Sequence, residues 1–161
     1  MCKFKFDLRN GDLLTSTATL ICHQTNCCKG FGSGVARAVK EAYPIVAEKH
    51  LKACESVEIS SELLGKIQPV KVNDSQYVVN MFSQDKFGYD GAQYTSYDAF
   101  WKCLQKIVDF CNINGFHSVA FPYKIASVRG GAVWEVIEQM IKSTFENTDI
   151  NVEIWKYDRD N

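Results

Sequence analysis

The 161-residue sequence predicts a layered α/β fold, with helices covering both faces of a mixed central sheet in three α/β/α layers. Three observations carry this. Runs of strand character alternate with runs of helical periodicity along the chain. At 46% hydrophobic and 23% charged residues the composition is that of an ordinary globular protein. No repeat, low-complexity tract or Gly/Ser/Pro-rich linker divides the chain, and its length suits one domain spanning residues 1–161.

Phe4 to Leu8 alternates polar and apolar residues before a turn at Asn10-Gly11, and Ala18 to Cys22 is a short apolar run, so both read as strands. Gly34 to Tyr43 then places Val35, Ala36, Val39 and Ala42 on one helical face, and Pro44 stops that helix and opens a second to about Ala53. Leu64 to Val72 and Gln76 to Phe82 form a hairpin about the Asn73-Asp74 turn. After a Gly-, Asp- and Tyr-rich loop from Ser83 to about Gln93, apolar residues recur at helical spacing from Thr95 to Cys111, and Asn114-Gly115 supplies the stop. His117 to Phe121 reads as a buried strand, Trp134 to Phe145 as a helix and Val152 to Tyr157 as the last strand.

A formal charge of −1 gives no general attraction to nucleic acid or anionic lipid, so any anion must be held locally. No apolar run reaches the roughly 18 residues that span a bilayer, and the N-terminus lacks a signal-peptide core, so no membrane contact and a cytoplasmic location are expected. The seven cysteines sit mainly in apolar stretches, as reduced thiols do. Cys27-Cys28 beside His23 lacks the two-residue spacer of zinc knuckles, and no second pair answers it; no metal and no cofactor are expected.

The chemistry should sit beyond the carboxyl ends of the strands, where loops and helix openings converge. After the strand at Ala18 to Cys22 come His23-Gln24-Thr25-Asn26 and then Gly30-Phe31-Gly32-Ser33-Gly34, opening a helix whose N–H groups suit phosphate. This is neither a Rossmann fingerprint nor a P-loop, since spacing and Lys are wrong. After Phe121 a second loop, Pro122 to Ala132, again runs into a helix. Two such loops on one edge make a two-sided cradle of the size of a diphosphate.

Ile21-Cys22-His23-Gln24-Thr25-Asn26 through Gly34-Val35-Ala36, followed by Tyr43-Pro44, resembles the ribose and diphosphate segment of macrodomains. Asn10-Gly11-Asp12-Leu13-Leu14, Asn80 to Tyr97, and Phe121 to Trp134 resemble the same family in the same order, so nearly the whole chain is covered. The nearest branch contains terminal ADP-ribose glycohydrolases, DNA-ADP-ribose hydrolase antitoxins and ADP-ribose 1″-phosphate phosphatases.

The resemblance implies ADP-ribose, or an ADP-ribosylated ligand, as partner. Asp12 would accept from the adenine amino group with Leu13 beside it, and Asn26 would hold the distal ribose. Gly32, Ser33, Gly34 and Val35, facing Ser127, Val128, Arg129, Gly130, Gly131 and Ala132, would clasp the diphosphate and ribose. Gln84 would line the site, and Trp155 or Tyr157 the adenine end.

The chain also departs from the family. Ala36 stands where mono-ADP-ribosyl hydrolases carry Asp; Gln84 stands at the glycohydrolase Lys, and Gly130 approximately at the Asp of the second loop. An amide neither attacks nor titrates near neutrality. Arg129 replaces an apolar residue and brings a fixed cation. The remaining catalytic candidates are His23 as general base, Asn26 as ribose positioner, and Asp85 or Asp90 as water-orienting acids. The expectation is a reader or sensor of ADP-ribose or an NAD-derived relative, reporting to a partner or to another domain of a longer protein. The alternative is a hydrolase removing ADP-ribosyl, acyl or 1″-phosphate groups.

Overall fold

The computed structural model describes residues 5–88 and 90–157. Phe4, the predicted opening of the first strand, and Tyr89 lie outside them.

Among the described residues the sheet has six strands: β1 (Phe6–Asn10), β2 (Leu20–Thr25), β3 (Ile67–Asn73), β4 (Gln76–Phe82), β5 (Ser118–Pro122) and β6 (Asn151–Lys156), in the order β1-β6-β5-β2-β4-β3. All neighbours are parallel except β3 and β4, the predicted hairpin. The helices are α1 (Gly34–Ala42), α2 (Pro44–Glu55), α3 (Tyr97–Asn114) and α4 (Trp134–Phe145). Pro44 divides α1 from α2, because it cannot donate into the preceding helix. Gly115 stops α3 at a left-handed φ of 71°, which glycine adopts at no steric cost.

Sequence and structure differ at strand ends. β2 runs on through His23, Gln24 and Thr25, expected in the following loop, because β4 pairs with it as far as Thr25 with Phe82. β1 likewise extends to Asn10, opposite Lys156 of β6.

Alternate residues of each strand feed two cores. Leu20 and Cys22 of β2, with Val119 and Phe121 of β5, pack under α3 and α4 against Phe100, Leu104, Ile137 and Phe145. Ile21 and Ala120 face the other way, toward Val39 of α1 and Val46 of α2. β2 therefore leads to a helix on one face, while its neighbour β5 leads to α4 on the other. Such a switch of direction opens a crevice at the strand ends. The pairing shows it: β2 meets β4 at six positions from Leu20 to Thr25, but meets β5 only at Leu20 with Val119 and Ile21 with Ala120. Beyond those two rungs the strands diverge.

Candidate functional site

A cavity of about 430 Å³ occupies the gap. Its floor is His23, Gln24 and Thr25 at the end of β2. Asn26 and Gly30 through Ala36 form one wall, Pro122 through Ala126 and Val128 through Gly130 the opposite one, and Gln84, Phe87 and Gly88 close a third side. The two predicted loops therefore face one another across a single space.

The first wall is shaped by Asn26. Its Oδ1 accepts the backbone N–H groups of Cys28 at 3.1 Å and Gly30 at 3.0 Å, while its Nδ2 donates to the Gly30 carbonyl at 2.8 Å. Behind the loop, the carbonyl of Asn26 accepts from Nε2 of buried His50 at 2.8 Å, and the His50 ring stacks flat on Phe82. A Cβ on Gly32 or Gly34 would meet nothing within 4 Å, and Gly34 has a φ of 59°. These glycines leave the α1 opening bare. Ser33 makes no side-chain cap there, so the first-turn N–H groups of α1 and the positive end of its dipole are directed at the cavity.

The second wall differs from expectation. Its helix opening is not among the described lining residues: Ala132 N–H donates to Ala126 carbonyl at 3.0 Å and Val133 N–H to the Tyr97 hydroxyl at 2.8 Å, so those donors are already used. Gly131, Ala132 and Ser127 do not line the cavity; Ser127 donates to the Ile125 carbonyl instead. Packing leaves no room for a side chain at Gly130 or Gly131. A Cβ on Gly131 would come within 2.5 Å of the Ala92 carbonyl oxygen. What faces the cavity is the turn itself, where Lys124 and Ala126 take left-handed φ values of 60° and 68°. Within that turn the Ile125 and Ser127 N–H groups are used on the Pro122 and Lys124 carbonyls, at 3.0 Å and 2.9 Å, so its contribution to anion binding is mainly the charge of Lys124.

A polar relay joins the walls. Gln24 Nε2 donates to Gln84 Oε1 at 2.6 Å and to Thr95 Oγ1 at 3.0 Å, and Thr95 Oγ1 donates to the Ala126 carbonyl at 2.9 Å. Gln84 Nε2 donates to the Lys86 carbonyl. The Gln84 amide is thus a strut.

His23 is not placed to act as a general base. It is 1% exposed. Asn80 uses its amide nitrogen on Gln68 Oε1, so its oxygen, 2.6 Å from His23 Nε2, accepts the Nε2 proton. The other ring nitrogen, Nδ1, is buried with no hydrogen-bond partner among the described residues. Burial lowers the His23 pKa from 6.5 to about 4, outweighing the Asn80 contact. Between those values the unfolded chain binds a proton that the folded chain refuses. Stability should therefore fall as pH drops through this window, by on the order of 3 kcal/mol from this residue. Urea unfolding at about pH 7 and about pH 4.5 checks this; an equal slope in His23→Gln would assign the loss elsewhere.

Asp90 is not among the described lining residues. It accepts from the Tyr94 hydroxyl at 2.7 Å and from Ala92 N–H, and the first of these holds its carboxyl below the usual range. Asp85 Oδ1 accepts from Ser60 Oγ. Asp12 and Leu13 lie outside the described lining: Asp12 caps a short 3-10 turn through Leu14 N–H at 2.9 Å, and Leu13 is buried in the α1/α2 core. Trp155 packs in that core with Nε1 on Glu153, and Tyr157 is exposed past the end of β6.

The cavity is electropositive. Lys124 and Arg129 line it, and no carboxylate does among the described lining residues, in a chain of net charge −1. Lys124 and Lys156 both stand over the Tyr123 ring, at 5.6 Å and 5.3 Å. The position of Lys124 in the second loop is plain in the sequence, but its share in the field depends on the turn that follows β5. Phe31 and Phe87 also line the site; nothing in their spacing marks them.

No protein-family model and no curated protein matches the sequence. Solved structures do match. A protein of unknown function from Bacteroides thetaiotaomicron is 28% identical, with a TM-score of 0.85 over 95% of this chain and 98% of that one. The macrodomain of Mycobacterium tuberculosis DarG is 23% identical, with a TM-score of 0.80 over 94% and 97%. Thermosipho africanus DarTG, solved in complex with ADP-ribose, is 18% identical, with a TM-score of 0.75 over 93% of this chain and 41% of that one.

Proposed function

Starting from the macrodomain fold of this chain, we propose that its cavity binds ADP-ribose, or a derivative of it, as a reader or sensor. The observation that carries the reading is the pairing of an uncapped helix opening with a cationic turn across one cavity that no described carboxylate lines. A diphosphate set between them would be held by the N–H donors of the α1 opening on one side and by the charges of Lys124 and Arg129 on the other. The similar structure from Thermosipho africanus holds ADP-ribose, which supports the same class of ligand here.

Binding without turnover is favoured by what the lining lacks. Gln84 is an amide used as a strut, His23 keeps its free nitrogen out of solvent, and Asp90 is turned into its own loop. None of them is a base that titrates near neutrality.

Calorimetric titration with ADP-ribose should give saturable heat, and Lys124→Glu should weaken it by about tenfold or more through loss of a charge-assisted contact. Absence of heat with ADP-ribose and with ADP would defeat the ligand assignment. Conversion of ADP-ribose 1″-phosphate or of ADP-ribosylated protein well above the buffer rate would replace the reader by a hydrolase.

A further inference from the structure

The exposed edge of β1 is complementary to itself. Among the described residues β1 ends the sheet, with β6 as its neighbour in the strand order. The phase of its peptide groups follows from two bonds: Lys5 carbonyl accepts from Val152 N–H, and Gly11 N–H donates to Lys156 carbonyl, each at 2.8 Å. Odd-numbered residues therefore turn their N–H and C=O groups toward β6, and even-numbered ones turn theirs outward. Leu8 is the middle even residue, and it is 62% exposed.

Leu8 is flanked by charges of opposite sign. Asp7 and Arg9 lie on the other face of the strand, both about half exposed; Arg9 stands over the Trp155 ring, 3.7 Å from Asp7 and 3.6 Å from Glu153, in loose pairs worth little in water that leave its guanidinium able to reach a further carboxylate.

We propose that β1 is a homodimer interface, pairing antiparallel with β1 of a second copy about a two-fold axis through Leu8. In that register the two Leu8 residues exchange both N–H···O bonds, since their peptide groups already point outward. Asp7 of each copy then faces Arg9 of the other in a non-hydrogen-bonded position, where side chains approach most closely. The two Leu8 side chains meet on the α4 face. The two six-stranded sheets run on as one across the axis. A second copy supplies both charges and the leucine at once.

Sedimentation of the full chain over a range of concentrations tests this. The mass should rise from one chain toward two as concentration increases. Asp7→Arg and Arg9→Asp should each weaken association about tenfold by setting like charges opposite, and the double change should restore it. Leu8→Pro removes the outward N–H and the exposed leucyl side chain but no N–H that bonds β6, so it should abolish the dimer while far-UV dichroism stays native. A chain that is monomeric throughout overturns the proposal, as does a dimer indifferent to these changes. So does failure of the double variant to recover while its thermal unfolding matches the natural chain.

Discussion

Gly130→Ala is expected to cost about 3 kcal/mol of stability and to lower Tm by roughly 10 °C. A Cβ at this position would stand 2.2 Å from Thr95 Oγ1, 2.4 Å from the Ala126 carbonyl oxygen and 2.7 Å from Gln24 Nε2. A side chain can swing away, but the Ala126 carbonyl cannot: it accepts from Thr95 Oγ1 at 2.9 Å and from Ala132 N–H at 3.0 Å. Gly130 carbonyl itself takes the amides of Tyr94 and Thr95, at 2.8 Å and 2.9 Å. Relieving the clash means breaking the joint between the second wall and residues 94–95. Gly32→Ala is the control, since nothing lies within 4 Å of its Cβ and its stability should stay within about 0.5 kcal/mol. Thermal unfolding of the two variants side by side decides it, and equal losses would show that Gly130 is not a packing glycine.

Asn26→Ala should lose ADP-ribose affinity by well over tenfold, with a stability loss of about 2 kcal/mol. The amide makes three bonds to its own loop, and alanine would leave two N–H groups and one carbonyl seeking partners on the cavity wall. The loop would then reorganise toward water and take the α1 opening with it. Asn26→Asp separates shape from charge. It keeps the acceptor for Cys28 and Gly30 N–H, yet turns a carboxylate toward the Gly30 carbonyl and adds negative charge beside an anion site. Titration should show weaker binding in both variants, with the stability loss larger in the alanine one. Natural affinity in Asn26→Ala would mean that the loop shape does not matter.

Asn26 also shows how far residue types lead. Its importance is visible from its place between a strand and a glycine-rich helix opening, but its role is not. The resemblance assigned the amide to a ribose, and the structure spends most of its capacity on Cys28 and Gly30. The alternation of strands and helices and the stops at Pro44 and Gly115 were legible because each rests on local chemistry. The extension of β2 through Thr25 was not, because the pairing that draws His23 into the strand comes from β4, more than fifty residues along the chain. The same limit applies to the glycines. Sequence shows Gly30 to Gly34 and Gly130-Gly131 as two like loops, yet Gly32 and Gly34 face empty space, whereas Gly30 abuts Phe87 and Asn26, and Gly130 and Gly131 face the Ala126 and Ala92 carbonyls. Which neighbour a missing side chain makes room for is a tertiary fact.

The divergence of β2 from β5 after two rungs carries one more consequence. A continuous sheet would satisfy the peptide groups along this seam internally, and here that seam is given over to solvent or to a guest. Pro122 has no N–H to offer across it. An occupant bridging the two strand ends would act as a rung that the polypeptide does not supply, so the tightness of the sheet at its centre would become a property of the complex.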